Sequence, residues 1–279
     1  MELHQGYSRK RAMNTQLIIT HPGNAHFDEV TAISLIQSVH ADAEFSVERR
    51  DPTQEELDDR NVWVVDIGNN YEPEKRNFDH HQSQDCPASF VLVAKYLGIG
   101  ETLAVLPWWH FKDIVDRFGP VEASITHNAG DHLVNRSPVE TWLMEIFAAE
   151  PESSLPLLKS FGTHIIDEAT VLKHQIEYWK ICRRLVINGI PAIIGETTES
   201  AGLEEFRRAE EHPPDIVISL DRRSEGWRLF RYDGTSVDFT LIADCSEIAF
   251  THKSGFMAKT KDRLPIEDLI AIVKKAIIS

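Results

Sequence analysis

Apolar residues along this chain fall into two rhythms, short unbroken runs and spaced repeats, and the rhythms alternate. Leu17-Ile18-Ile19-Thr20 is a compact run that predicts a buried strand, and Pro22-Gly23-Asn24 marks a turn after it. From Glu29 to His40, Val30, Ile33, Ile36 and Val39 recur at helical spacing, which predicts an amphipathic helix. Glu44 to Val47 alternates and predicts a second strand. Asp51-Pro52 reads as a cap and first helical position, opening a short helix through Asp58. Asn61 to Ile67, with Val62-Trp63-Val64-Val65 at its centre, predicts a third strand. The order β-α-β-α-β implies a parallel sheet.

Further on, Gly68 to Asn77 reads as a polar loop, and Pro87 to Leu97 and Trp108 to Phe118 as helices. From Val121 to Arg184 strand signals vanish; Glu140 to Ala149 and Gly162 to Arg183 are the strongest helices. The apolar Trp142, Leu143 and Phe147 in this connector suit a homodimer interface or the core equally. An Asn188-Gly189 hairpin turn then sits between apolar strands within Leu185 to Ile194. Leu203 to Glu211 reads as a helix, and Asp215 to Leu220, Trp227 to Tyr232 and Val237 to Ala243 as strands of a mixed sheet. Leu264 to Ile278 closes as an amphipathic helix. The expected architecture is two α/β lobes, with a cleft between them as the default site.

Charge and cysteine usage narrow the function. The formal net charge of −15 disfavours a grip on long duplex nucleic acid, though bound cations could still bring acidic substrates. Cys86, Cys182 and Cys245 lie far apart, which argues against a disulfide framework or a thiolate zinc site and points to a reducing cytoplasm. No apolar run approaches the ~20 residues of a membrane span, and Met1 to Gly6 lacks the apolar core of a secretory signal. Residues 1–15 read as a disordered tail. There is no HExxH and no GxxxxGK[ST].

The candidate chemistry gathers at strand ends. His21, His26 and Asp28 follow the first strand, Asp66 ends the third, and Asp79-His80-His81 follows the loop. Carboxyl ends of strands in an open α/β sheet are where ligands bind. Mixed imidazole and carboxylate donors suit Mn²⁺, Fe²⁺, Co²⁺ or Zn²⁺. His21, His26, Asp28, Asp66, His80 and a downstream aspartate are too many for one tetrahedral ion and fit two ions sharing a carboxylate. Each piece alone is weak: a lone His-x4-His is more often ordinary surface or core histidine, and Asp66 alone could cap a turn. Their conjunction carries the argument. Trp108-Trp109 reads as packing before it reads as a base-stacking platform.

These motifs resemble the DHH phosphoesterase superfamily, and within it the melanocyte-proliferating-gene branch. That branch is described as metal-dependent protein hydrolases and is similar to 3′→5′ RNA exonucleases. The matching residues are Ile19 to Glu29, Val64-Val65-Asp66-Ile67-Gly68 and Phe78-Asp79-His80-His81-Gln82, with a fainter echo at Phe250 to Phe256. The resemblance implies a parallel-sheet DHH-type metal-binding catalytic domain at 16–120. A helical connector follows at 121–185, and a smaller mixed α/β substrate-binding domain at 186–279. It implies that His21 and His26 bind one ion, Asp28 the other, that Asp66 bridges both, and that His80 and Asp116 complete the second. Asp113 is the alternative to Asp116, because Asp116-Arg117-Phe118-Gly119-Pro120 departs from the family's Asp-Asn-Gly continuation. Asp79 would orient a metal-binding histidine, and His81 would contact the scissile phosphate.

The implied cofactor is two divalent ions, manganese first, with magnesium, cobalt or zinc as alternatives. They would activate a water for in-line attack on phosphorus. The glycine-rich substrate loop common in the superfamily is absent, and His252-Lys253-Ser254-Gly255 stands in its place, with Arg222 and Arg223 as further candidate contacts. Single surface arginines are more often solvated charge than ligands. The expected substrate is an RNA end, a short single-stranded oligonucleotide or a nucleotide. The competing readings are a phosphatase or pyrophosphatase acting on a small phosphate ester, and a non-catalytic metal-stabilised binding protein.

Overall fold

The computed structural model describes residues 15–128 and 137–278. The tail expected at residues 1–15 therefore lies, but for Thr15, outside the described residues. The chain divides into two compact units, with the boundary between Thr170 and Val171.

The first unit holds β1 (Thr15–Thr20), α1 (Phe27–Val39), β2 (Glu44–Arg49), α2 (Gln54–Asp58), β3 (Val62–Val65), β4 (Tyr71–Glu72) and β5 (Asn77–Phe78). After these come α3 (Ser89–Tyr96), α4 (Gly100–Leu103), α5 (Trp109–Phe118), α6 (Pro120–Thr126), α7 (Pro138–Ala149) and the first part of α8 (Pro151–Ile181). The sheet order is β2-β1-β3-β5-β4, parallel except for β4. All four residues of β3 are buried, as a central parallel strand covered on both faces requires. The register decides where chemistry can gather. Thr20 pairs with Val65 and Val65 with Phe78, so β1, β3 and β5 end level. The residues that follow, His21, Asp66 and Asp79, emerge at one sheet edge.

Two expectations change here. The helix at α1 is buried on every side: Asp28 through Gln37 are all shielded, polar Thr31, Ser34 and Gln37 included. Ser34 satisfies its hydroxyl by donating to the Val30 carbonyl at 2.7 Å. Gly162 of α8 meets the Ser34 carbonyl so closely that a Cβ would collide with it. The polar loop at 68–77 contains β4, a 3₁₀ turn at Pro73–Lys75 and the start of β5. Strands of two residues leave no period to read, and Arg76 reverses the chain through a left-handed conformation, φ 62°.

The second unit holds the rest of α8, then β6 (Arg183–Ile187), β7 (Ile190–Gly195), α9 (Leu203–Ala209), β8 (Ile216–Leu220) and β9 (Trp227–Arg231). It closes with β10 (Ile248–Thr251), β11 (Met257–Thr260) and α10 (Ile266–Lys275). Its sheet order is β10-β11-β9-β8-β7-β6, with only the β7–β8 pair parallel. One face packs Ile218, Trp227, Leu229 and Phe239 against Leu269 and Val273 of α10. The other packs Ile193 and Val217 against Trp179 and Phe206. The strand expected at Val237 to Ala243 is instead a single bridge at Val237 and a 3₁₀ turn, Phe239–Ile242. Asp238 caps that turn by accepting from the Thr240 amide at 2.8 Å, which ends any extension. Among the described residues no helix is long and apolar enough to cross a membrane.

Candidate metal centre

Each candidate ligand is delivered by a chain feature that fixes it. His21 leaves β1 and bonds its own turn through Nδ1 to the Pro22 carbonyl, 3.0 Å. His26 precedes α1, and its amide is capped by the Glu29 carboxylate at 2.8 Å. That is one half of a capping box with histidine in the place usually held by serine or threonine. Asp66 follows β3 in a left-handed conformation, φ 58°, which aspartate tolerates better than most residues. Its amide still bonds the Phe78 carbonyl at 2.9 Å, so the ladder holds it to β5. Asp28 sits in the first turn of α1, and both of its oxygens accept amides of α3, Ser89 at 2.8 Å and Phe90 at 2.5 Å.

Three groups of potential ligands form, and they overlap. His21, His26, Glu29 and Asp66 make one; Asp66, His80 and His81 a second; Asp28, His80 and Asp116 a third. His21 Nε2 lies 3.1 Å from Glu29 and 3.5 Å from Asp66. His80 Nε2 lies 2.9 Å from Asp116, 3.4 Å from Asp28 and 3.5 Å from Asp66. Asp66 is thus common to the His21 and His80 sides. Asp116, on α5, faces His80. Asp113 does not: it accepts from the Ala88 amide at 2.8 Å and pairs with Arg117 at 2.7 Å. Asp79 accepts the amides of Asn69, His80 and His81 and holds the His81 ring through Nδ1 at 2.7 Å. The ring it orients is that of His81, while it touches His80 only at the backbone.

The carboxylates and imidazoles of the site shift one another strongly. Asp28 is pushed well above the usual carboxylate range, first by burial and then by the charges of Asp66 and Asp116. Burial also pushes Asp66 up, but the His21 and His80 rings overcome it and bring it to about 2. Asp66 and then Glu29 lift His21 to about 10. Burial lowers His80, and Asp116, Asp66 and Asp28 more than reverse it, to about 11. Yet His21 Nε2 and His80 Nε2 are buried and neither has a partner in hydrogen-bonding geometry. Two buried imidazole nitrogens aimed at carboxylates they do not properly bond are what a divalent ion with nitrogen and oxygen ligands fits.

Glu29 and Arg49 went unnoticed in the sequence. Glu29 is completely buried, and Arg49 lies 3.5 Å from it while donating to the Gly23 carbonyl at 2.8 Å, so the pair braces the His21–His26 turn. Glu29 had a signal, its place three residues after His26 at a helix start. Arg49 had none.

In the second unit, His252 to Gly255 form the β10–β11 turn. The Ser254 amide donates to His252 Nδ1 at 3.2 Å, and the Gly255 amide to the His252 carbonyl at 2.9 Å. Gly255 has φ 67°, and a Cβ there would strike the Asp238 carboxylate. Lys253 and Arg223 are exposed, and Arg222 pairs with Glu199 at 2.8 Å.

Sequence comparison addresses the same stretch. Residues 17–89 match the MYG1_exonuc family, described as an uncharacterised protein family (UPF0160). This stretch is similar to that family. A human relative, MYG1 exonuclease, is 40% identical over 77 residues, which are 27% of this chain and 19% of that protein. Every grouped residue above except Asp116 lies inside the matched stretch. Among solved structures, the chain is similar to a pGpG-specific phosphodiesterase, PggH, from Vibrio cholerae, at 13% identity and a TM-score of 0.30, over 95% of this chain and 100% of that one. It is also similar to RecJ from Thermus thermophilus in complex with Mn²⁺, at 10% identity and a TM-score of 0.31, over 94% of this chain and 52% of that one.

Proposed function

We propose that this chain is a metal-dependent phosphoesterase that hydrolyses phosphodiester bonds in RNA ends, short oligonucleotides or nucleotides, using two divalent ions. The observation that carries the reading is the overlap of three ligand groups through Asp66 and His80 at one sheet edge. One carboxylate serving two neighbouring groups suits a pair of ions. His21, His26 and Glu29 would hold one ion, Asp28, His80 and Asp116 the other, and Asp66 both. When bound, such ions supply Lewis-acid polarisation of a water and of phosphoryl oxygens. The chain's own residues do the positioning. Asp79 fixes the His81 ring by accepting from Nδ1, and the side chain is 61% exposed, so that Nε2 points outward and, in the imidazolium form, would donate to a phosphate oxygen. The similarity of residues 17–89 to the MYG1_exonuc family, and to a human exonuclease, supports a nucleic-acid substrate. Lys253 and Arg223 are proposed as substrate contacts of the second unit.

The test is hydrolysis of a short 5′-labelled RNA by metal-stripped protein, with Mn²⁺ added back and bound metal measured. The expected result is metal-dependent shortening, reduced at least about 100-fold in Asp66→Asn, which keeps the side-chain shape. Protein that binds no divalent ion would overturn the reading. Tight binding with turnover of small phosphate esters only would replace the substrate class.

A further inference from the structure

Beside Asp28 and Asp116 a cavity of about 300 Å³ opens within the first unit. Helix α5 builds one side of it. Phe111 and Val115 are one turn apart on α5, and so are Lys112 and Asp116, which makes two parallel rows on one face. Phe90, also in the lining, is fully buried and held edge-on to Trp109 at 4.6 Å. The polar row ends in Lys112, paired to Glu140 of α7 at 2.6 Å and lying over the Phe27 ring. The cavity is therefore mixed in character, with Phe27, Phe111 and Val115 as its apolar surface, the Lys112–Glu140 pair, and His26, Asp28 and Asp116 of the candidate metal centre.

Charge decides what part of a substrate could enter. The lining sets Asp28, Asp116 and Glu140 against His26 and a Lys112 already paired, so without a bound ion a phosphate is disfavoured there and a neutral group is not. Volume narrows the guest further, because about 300 Å³ is at the small end of ligand sites and admits one small molecule, not a chain. Shape and edge chemistry favour a flat ring with hydrogen-bonding atoms at its rim.

We propose that this cavity is a nucleoside subsite. The base lies against Phe111 and Val115, its polar edge meets Lys112 and Glu140, and the sugar's phosphate-bearing oxygen turns toward Asp28 and Asp116. The inference rests on the phosphoesterase reading for its substrate class, but it concerns a neutral group and needs no metal. It makes the unit a reader of the terminal nucleoside and not only of the phosphate backbone.

The test is calorimetric titration of the full-length protein in a chelator, with adenosine and with ribose. The expected result is adenosine binding at least tenfold tighter than ribose. Phe111→Ala, which removes a wall, and Val115→Phe, which fills the space, should each weaken adenosine at least tenfold with unchanged circular dichroism and melting temperature. Equal binding of adenosine and ribose would overturn the subsite, as would unchanged adenosine affinity in whichever variant keeps its fold. Because no metal and no hydrolysis enter this measurement, its failure is separate from failure of the metal-dependent activity above.

Discussion

Asp66 holds a backbone conformation that costs free energy and sits where two imidazoles need it. Left-handed φ in a residue with a Cβ persists only when its surroundings impose it. Here the imposition is the amide bond to Phe78, so Asp66 is fixed by β5 before any ion arrives. A second residue offers a cleaner titration, because it lies away from the metal centre. His40 lies tilted against Trp63 at 5.5 Å, with its Nε2 buried and without a hydrogen-bond partner, and Arg76 lies over the same indole. Burial first, and then the Arg76 charge, lowers its pKa from 6.5. The unfolded chain then takes up the proton at higher pH than the folded one. Stability should fall as pH drops through about 6.5 and go on falling to the lower folded value. Thermal unfolding at several pH values should show a steeper acid loss in the wild type than in His40→Gln; parallel curves would refute the assignment. None of this was legible in the sequence, since His40 was simply the end of a helical pattern.

Elements were legible where burial is simple and opaque where it is not. Contiguous runs such as Val62 to Val65 announce a strand covered on both faces, and with them came the ends that carry His21, Asp66 and Asp79. Helix α1 was found, but its one-sided apolar spacing suggested a solvent face that does not exist. Its outer side is closed by α8, where Ser38 donates to the Lys159 carbonyl at 2.9 Å and Gly162 lies against Ser34. No local pattern encodes a partner more than a hundred residues away. The sequence put Asp116 first but kept Asp113 open for the same reason, because only packing shows that the turn of α5 carrying Asp116 is the one that faces His80. The contact at Gly162 has a sharp consequence. Gly162→Ala should destabilise by about 1–3 kcal/mol through overpacking, read as a lower urea midpoint, despite alanine's better helix propensity. A neutral or stabilising effect would mean that α8 does not seat on α1.

At the scale of the molecule, an excess of 15 negative charges and a knot of buried carboxylates in the first unit act together. The negative field raises the local concentration of cations and keeps free phosphates away, so substrate approach and ion binding are coupled. Ion binding should also be folding energy. At Mn²⁺ about 100 times its dissociation constant, the linkage contributes about 2.7 kcal/mol. For a unit of this size that is a rise of about 5–10 °C in melting temperature, reversed by chelator. Scanning calorimetry of stripped and reloaded protein reads it directly, and an unmoved transition would argue that the ligands do not close on an ion. The division at Thr170 and Val171 falls inside the continuous helix α8, a boundary that sequence composition does not mark.

The double acceptance at Asp28 has a mechanical consequence. The same carboxylate that faces the metal centre also holds the Ser89 and Phe90 amides at the start of α3. Any pull on Asp28 toward a cation is drawn against those two bonds, so the first turn of α3 works as a spring. Under the two-ion proposal, occupancy at the sheet edge would be transmitted as tension into the helix that carries Phe90, one of the cavity's lining residues.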